Sequence, residues 1–211
     1  MRSFASDNNS GVHPLVMAAL NRANTDHALG YGDDKWTEEA VAKIKETFTQ
    51  DCVPLFVFNG TGSNVVALQL MTRPYHSIFC AETAHIYVDE CGSPVKMTGC
   101  QIRPIATPDG KLTPDLVRPY LCHFGEQHHS QPGAIYISQC SELGTVYKPD
   151  ELRALTDLAH RHGMYVHMDG ARLANACAAL NLGFRELTVD CGIDILSFGG
   201  TKNGLMLGES V

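Results

Sequence analysis

Lys202 stands in Phe198-Gly199-Gly200-Thr201-Lys202-Asn203-Gly204, a loop of small residues fed by the apolar run 193–198. A primary amine on such backbone at the end of a buried strand can bond covalently to a carbonyl group. A surface lysine after a core strand would look the same, so this residue alone leaves both readings open. Asp169 follows Tyr165-Val166-His167-Met168, which makes it a largely desolvated carboxylate in need of a cationic partner, with Arg172 the local candidate. Gly60-Thr61-Gly62-Ser63-Asn64 leads from the apolar stretch 55–58 into a helix start. Free N–H groups and the positive end of the helix dipole favour a phosphate there, and Thr61 and Ser63 add hydroxyl donors. His85 offers a flat ring that can stack on another.

Each of these also has a plain structural counterpart. Asp169 with Arg172 could be an ion pair capping a helix, the glycine segment a common strand-to-helix turn, and His85 a packed histidine. The glycine segment is not a nucleotide P-loop, because no Lys-Ser/Thr pair follows, and it lacks the full G-x-G-x-x-G spacing. Together the four places supply a phosphate cup, a stacking ring, an anion for a pyridinium nitrogen and an amine for an aldehyde. Those are the requirements of pyridoxal 5'-phosphate.

The elements that must position them alternate. Pro14 starts a short helix, Thr37 can cap another, and residues 65–71 form a third after the glycine loop. Residues 77–81, 101–105, 134–138 and 164–168 read as strands. Pro149 opens a helix with Leu152, Leu155 and Leu158 on one face, and residues 171–180 form an alanine-rich one. Continuous apolar strands alternating with helices predict an α/β three-layer sandwich with a mostly parallel sheet. Ligands collect at the carboxyl ends of such strands, where all four places lie.

Composition narrows the partners. The 211 residues are 44% hydrophobic and carry a formal charge of −7, with no Lys/Arg run, which argues against nucleic acid or an anionic membrane and for a small molecule. No apolar run approaches a membrane span and the start lacks a signal peptide's apolar core, so a soluble, cytoplasmic chain is expected. Eight scattered cysteines without a C-x-x-C pair read as reduced thiols. The adjacent His128-His129 has no accompanying ligand set at sensible spacing, so no metal is expected.

Asp7-Asn8 with Ser10-Gly11 and His13-Pro14, Tyr31-Gly32-Asp33-Asp34, Asn59-Gly60-Thr61-Gly62, Ala84-His85-Ile86, Asp89-Glu90-Cys91-Gly92, residues 167–172 and residues 197–204 resemble, in order, the low-specificity L-threonine aldolases, which are fold-type-I pyridoxal-phosphate enzymes. The resemblance implies an N-terminal arm over 1–13 and a cofactor-binding large domain over 14–211. It implies that Lys202 bonds the cofactor, Asp169 pairs with the ring nitrogen, His85 stacks on the ring, and Gly60, Thr61 and Ser63 form the phosphate cup. Arg172 and Ser6 match positions near the cofactor and the substrate carboxylate. The implied reaction cleaves L-threonine or L-allo-threonine to glycine and acetaldehyde. For the base it leaves His85 or a histidine among His123, His128 and His129, of which His129 aligns best; a polar surface loop remains the alternative.

Relatives are homotetramers and run well over a hundred residues further, into a small C-terminal domain. A chain stopping at Val211 is therefore expected to lack that domain, to leave an exposed sheet edge, and to turn over weakly or not at all. Another reaction of the same fold type, such as β-elimination or transamination, and a noncatalytic cofactor-binding fragment are the competing expectations. A homo-oligomer, dimer or tetramer, is implied by resemblance alone.

Overall fold

A computed structural model describes residues 3–211, so of the arm expected over 1–13 only residues 3–13 are seen. The strands are β1 (Phe56–Val57), β2 (His76–Ala81), β3 (Gln101–Ile105), β4 (Gln131–Ser138), β5 (Tyr165–Gly170), β6 (Ile195–Gly199) and β7 (Glu209–Ser210). The helices are α1 (Pro14–Ala23), α2 (Lys35–Thr47), α3 (Gly60–Met71), α4 (His85–Val88), α5 (Ser93–Thr98), α6 (Pro114–Val117), α7 (Pro149–Arg161) and α8 (Leu173–Leu180).

One seven-stranded sheet runs β1-β7-β6-β5-β4-β2-β3. From β6 to β3 every pairing is parallel, while β7 is antiparallel to both β6 and β1. Alternate residues of each strand reach opposite cores. Ile135 and Ile137 of β4 pack with Phe79, Val166, Met168 and the Leu152, Leu155 and Leu158 face of α7. Ala134 and Tyr136, one residue out of phase, pack with Ile78, Cys80 and the Leu68 and Met71 face of α3. Two cores on the two faces of one sheet make the expected three layers.

Two local expectations are corrected. Asp34, not Thr37, caps α2: its Oδ1 accepts from the Trp36 and Thr37 amides at 2.9 Å each, and Oδ2 binds the Thr37 hydroxyl. The acidic side chain reaches the first turn from outside it, as an N-cap must. The glycine loop is itself the first turn of α3, because Asn59 Oδ1 accepts from the Gly62 amide at 2.8 Å and starts the helix before the glycines. The terminal β7 lies between β6 and β1, which leaves the two-residue β1, with Phe56 half-exposed, at that edge of the sheet.

Candidate functional site

The carboxyl ends of β4, β5 and β6 open on a cavity of about 230 Å3. Gly60, Thr61, His85, Asp169, Arg172 and Lys202 all line it. A larger cavity, about 410 Å3, lies elsewhere and is lined mainly by apolar side chains such as Phe48, Leu55 and Phe198.

Lys202 sits in a 3-10 turn, Thr201–Asn203, directly after β6. Asn203 braces that turn by donating to the carbonyls of Ala171 at 3.1 Å and Gly199 at 2.8 Å. Glu209 of β7 accepts from the Gly200 amide at 2.8 Å. The turn is therefore tied to the ends of both β5 and β7, while the lysine amine makes no salt bridge among the described residues.

Asp169, buried in β5, is the floor of the cavity. Its Oδ2 accepts from Tyr136 OH at 2.7 Å and Asn64 Nδ2 at 3.0 Å, and its Oδ1 from the Ala171 amide at 2.9 Å. Burial by itself would push this carboxyl up, but the donors Asn64, Ala171 and Tyr136 outweigh it and hold the pKa below the ordinary carboxylate value. The group stays anionic without a bonded cation. The expected pair with Arg172 is corrected accordingly: Arg172 instead grips Asp7, Nε to Oδ2 at 2.6 Å and Nη2 to Oδ1 at 3.1 Å. That bidentate clamp pins the N-terminal turn Asp7–Asn9 over the cavity, and Asn8 joins its lining.

Behind Asp169 runs a buried polar relay. The Ser197 hydroxyl donates to Asn64 Oδ1 at 2.9 Å, so His167 Nε2, 2.9 Å from Ser197 Oγ, must donate to that hydroxyl oxygen. Burial pushes His167 well below its ordinary pKa, consistent with a neutral ring carrying its proton on Nε2. Asn64 Nδ2 in turn bonds both Asp169 and Glu90, the latter at 2.7 Å.

His85 begins α4. Its Nδ1 lies 2.8 Å from Glu90 Oε1, and its amide donates to Glu142 Oε1 at 2.9 Å. Glu142 also accepts from the Ser138 hydroxyl. The bond to Glu90 raises the His85 pKa against the opposing effect of burial.

Three expected site residues lie off the cavity lining. Ser6 caps the arm's 3-10 turn, accepting from the Asn8 amide at 3.2 Å. Ser63 is fully buried, and its hydroxyl has no hydrogen-bond partner among the described residues. His129 precedes β4 at its amino end, the opposite end of the strand from the cavity, where it contacts Glu126. Conversely, Asn64, Glu90, Tyr136 and Glu142 were given no site role from sequence. Asn64 and Glu90 stand in segments already marked by the glycine loop and by Asp89-Glu90-Cys91-Gly92; Tyr136 and Glu142 carry no such signal.

The residues present fit a phosphorylated pyridine aldehyde. An anionic carboxylate forms the floor and an amine without an ion-pair partner stands at the wall. Asn59 takes the third amide of α3, which leaves those of Gly60 and Thr61 outside that cap, and a Cβ at Gly60 would meet nothing within 4 Å. The helix start is thus open where a phosphate would sit.

Residues 3–211 match the family described as beta-eliminating lyase. The chain is 44% identical to a low specificity L-threonine aldolase of a Pseudomonas species and 43% identical to one of Pseudomonas aeruginosa, over 211 residues in each case. All of the chain superposes on Leishmania major threonine aldolase with a TM-score of 0.92 at 31% identity. In all three comparisons it covers 100% of itself and spans 61% of the other chain.

Proposed function

The chain belongs to the beta-eliminating lyase family, and from that premise we propose that it carries the cofactor site of a low-specificity L-threonine aldolase, which cleaves L-threonine or L-allo-threonine to glycine and acetaldehyde with pyridoxal 5'-phosphate. The observation that carries this reading is the shared cavity of Lys202, Asp169, His85 and the Gly60-Thr61 helix start. When bound, the cofactor supplies a pyridinium ring that withdraws electrons from the substrate bond to be broken.

The chain's own residues do the rest. Lys202 would hold the cofactor, its Nζ supplying the amine for the aldehyde. Asp169, kept anionic by its three donors, holds a proton on the ring nitrogen. The amides of Gly60 and Thr61 and the dipole of α3 receive the phosphate. His85 would hold the ring from one face; with Nδ1 committed to Glu90, its Nε2 is the atom free to take the β-hydroxyl proton, directly or through water. We assign the base to His85, because His129 stands at the far end of β4. Arg172, whose Nη1 has no partner among the described residues, meets the substrate carboxylate.

The purified chain with pyridoxal 5'-phosphate should show visible absorbance that Lys202→Ala abolishes, and should release acetaldehyde from L-threonine only weakly or not at all, with acetaldehyde the carbonyl product of any turnover. Pyruvate or a keto acid in place of acetaldehyde would shift the assignment to β-elimination or transamination. Absorbance without any product would leave a cofactor binder.

A cytoplasmic location and assembly with further copies, two or four, belong to the same proposal. Eight free cysteines support the first; among the described residues no helix is long and apolar enough to cross a membrane. For the second, α1 and α2 bury none of their residues and present Leu15, Leu20 and Trp36 to solvent. A monomeric mass by light scattering would refute it.

A further inference from the structure

The histidine-rich segment before β4 plays no part in the cavity. No metal was expected from the adjacent His128 and His129; the fold instead gathers His123, Glu126 and His129, whose ligand atoms all lie within 4.8 Å of one another. We propose that these three side chains form a binding site for a divalent transition-metal ion of the zinc or cobalt class, independent of the catalytic cavity.

The spacing fits the ion. Glu126 Oε2 lies 3.1 Å from His129 Nε2 and 3.5 Å from His123 Nδ1. Ligand atoms at about 2.0–2.1 Å from a tetrahedral ion stand roughly 3.3–3.4 Å apart, a separation that both carboxylate contacts already approach. The two imidazoles are stacked, centroids 4.1 Å apart and planes 8° from parallel, so one ring must turn about its Cβ–Cγ bond for both in-plane lone pairs to meet at one ion. His123 Nδ1 is buried and makes no hydrogen bond among the described residues. A buried ring nitrogen without a partner is costly, and a cation would satisfy it.

The backbone of the site is preorganised from one point. Gln131, the first residue of β4, directs its Nε2 at the carbonyls of His123, Glu126 and His129, at 3.3, 3.0 and 2.9 Å. Its Oε1 accepts from the Gly125 amide at 2.8 Å. One side chain on a rigid strand thus fixes all three ligand residues, the kind of support that sharpens metal affinity. The side chains remain 30%, 52% and 40% exposed, so an ion can enter and keep water in its open position. Two neutral imidazoles and one carboxylate suit an ion of intermediate softness better than magnesium or calcium.

Cobalt(II) titration of the full 211-residue chain tests this, because its spectrum separates nitrogen and oxygen ligands from thiolates. Saturable uptake with a dissociation constant on the order of micromolar and no thiolate charge-transfer band is expected. Glu126→Gln and His123→Ala, both at exposed or half-exposed positions, should each weaken it about tenfold or more, and Gln131→Ala should weaken it with every ligand retained. His128→Ala, outside the cluster, should bind as the wild type does. Uptake unchanged by Glu126→Gln and His123→Ala would overturn the site, as would a thiolate band lost in Cys122→Ser or the absence of saturation in the wild type. Unfolding midpoints of the variants distinguish lost ligands from lost fold.

Discussion

The Glu90 carboxylate lies 2.8 Å from Nδ1 of His85 and is itself fully buried, so the ring that faces the cavity is held from behind by a group solvent cannot reach. The same Glu90 oxygen accepts from Asn64, whose amide also bonds Asp169. One amide thus links the partner of the stacking ring to the partner proposed for the pyridine nitrogen. Orientation of His85 and charge at Asp169 are set by one shared residue rather than separately.

Glu90→Gln should lower the His85 pKa. The wild-type value is raised above 6.5, first by the Glu90 bond. A raised folded pKa adds stability that is fully present below 6.5 and is lost as pH rises through the folded value. Wild type should therefore gain stability over Glu90→Gln on acidification through that window. Imidazole NMR titration reads the shift directly; an unmoved His85 midpoint would show that Glu90 does not control it.

Asn64→Ala should destabilise the chain by about 2–3 kcal/mol, since it strips a donor from two buried carboxylates at once. Asn64→Asp should be worse, because a third carboxylate would join Asp169 and Glu90. Urea unfolding of both variants checks the order; equal stability of Asn64→Asp and wild type would refute the linkage.

Lys202, Asp169, His85 and Gly60-Thr61 were legible in the sequence for one physical reason: each stands at or soon after an apolar run that had to be a buried strand. The relay behind them was not. Asn64 meets Asp169 across 105 positions and Arg172 meets Asp7 across 165, partnerships that only the strand order creates. Asp169 and Arg172, three apart, invited a local ion pair; the β5 end instead turns the carboxylate toward Asn64 and Tyr136 and the guanidinium toward the arm. Likewise the stop-and-start of the 55–64 segment looked like a loop, until the Asn59 cap made its glycines helical.

Asp7→Asn should release the N-terminal arm with little loss of global stability. The Arg172 and Asp7 side chains are 33% and 37% exposed, and partly solvated pairs contribute no more than about 1 kcal/mol. Limited proteolysis should cut before His13 faster in the variant, with an unfolding midpoint near wild type. Arg172→Lys should resemble it, because an ammonium cannot make the bidentate contact. Unchanged cleavage in both would show that the clamp does not hold the arm.

Gly199→Ala should damage the site through packing alone. A Cβ at Gly199 would meet the Cα of Ala171 at 2.5 Å and its carbonyl oxygen at 2.8 Å, backbone atoms that cannot rotate away. Overpacking of this kind costs about 1–3 kcal/mol, relieved by parting the end of β6 from the residue after β5. That movement would stretch the Asn203 bonds to Ala171 and Gly199 and carry Lys202 away from Asp169. Gly60→Ala is the contrast: its Cβ meets nothing within 4 Å, so the fold should hold while phosphate contact at the start of α3 weakens. The first variant should lose both unfolding midpoint and cofactor absorbance, the second absorbance only. A stable Gly199→Ala that binds pyridoxal 5'-phosphate like wild type would mean that the close approach of these two strand ends does not position the lysine.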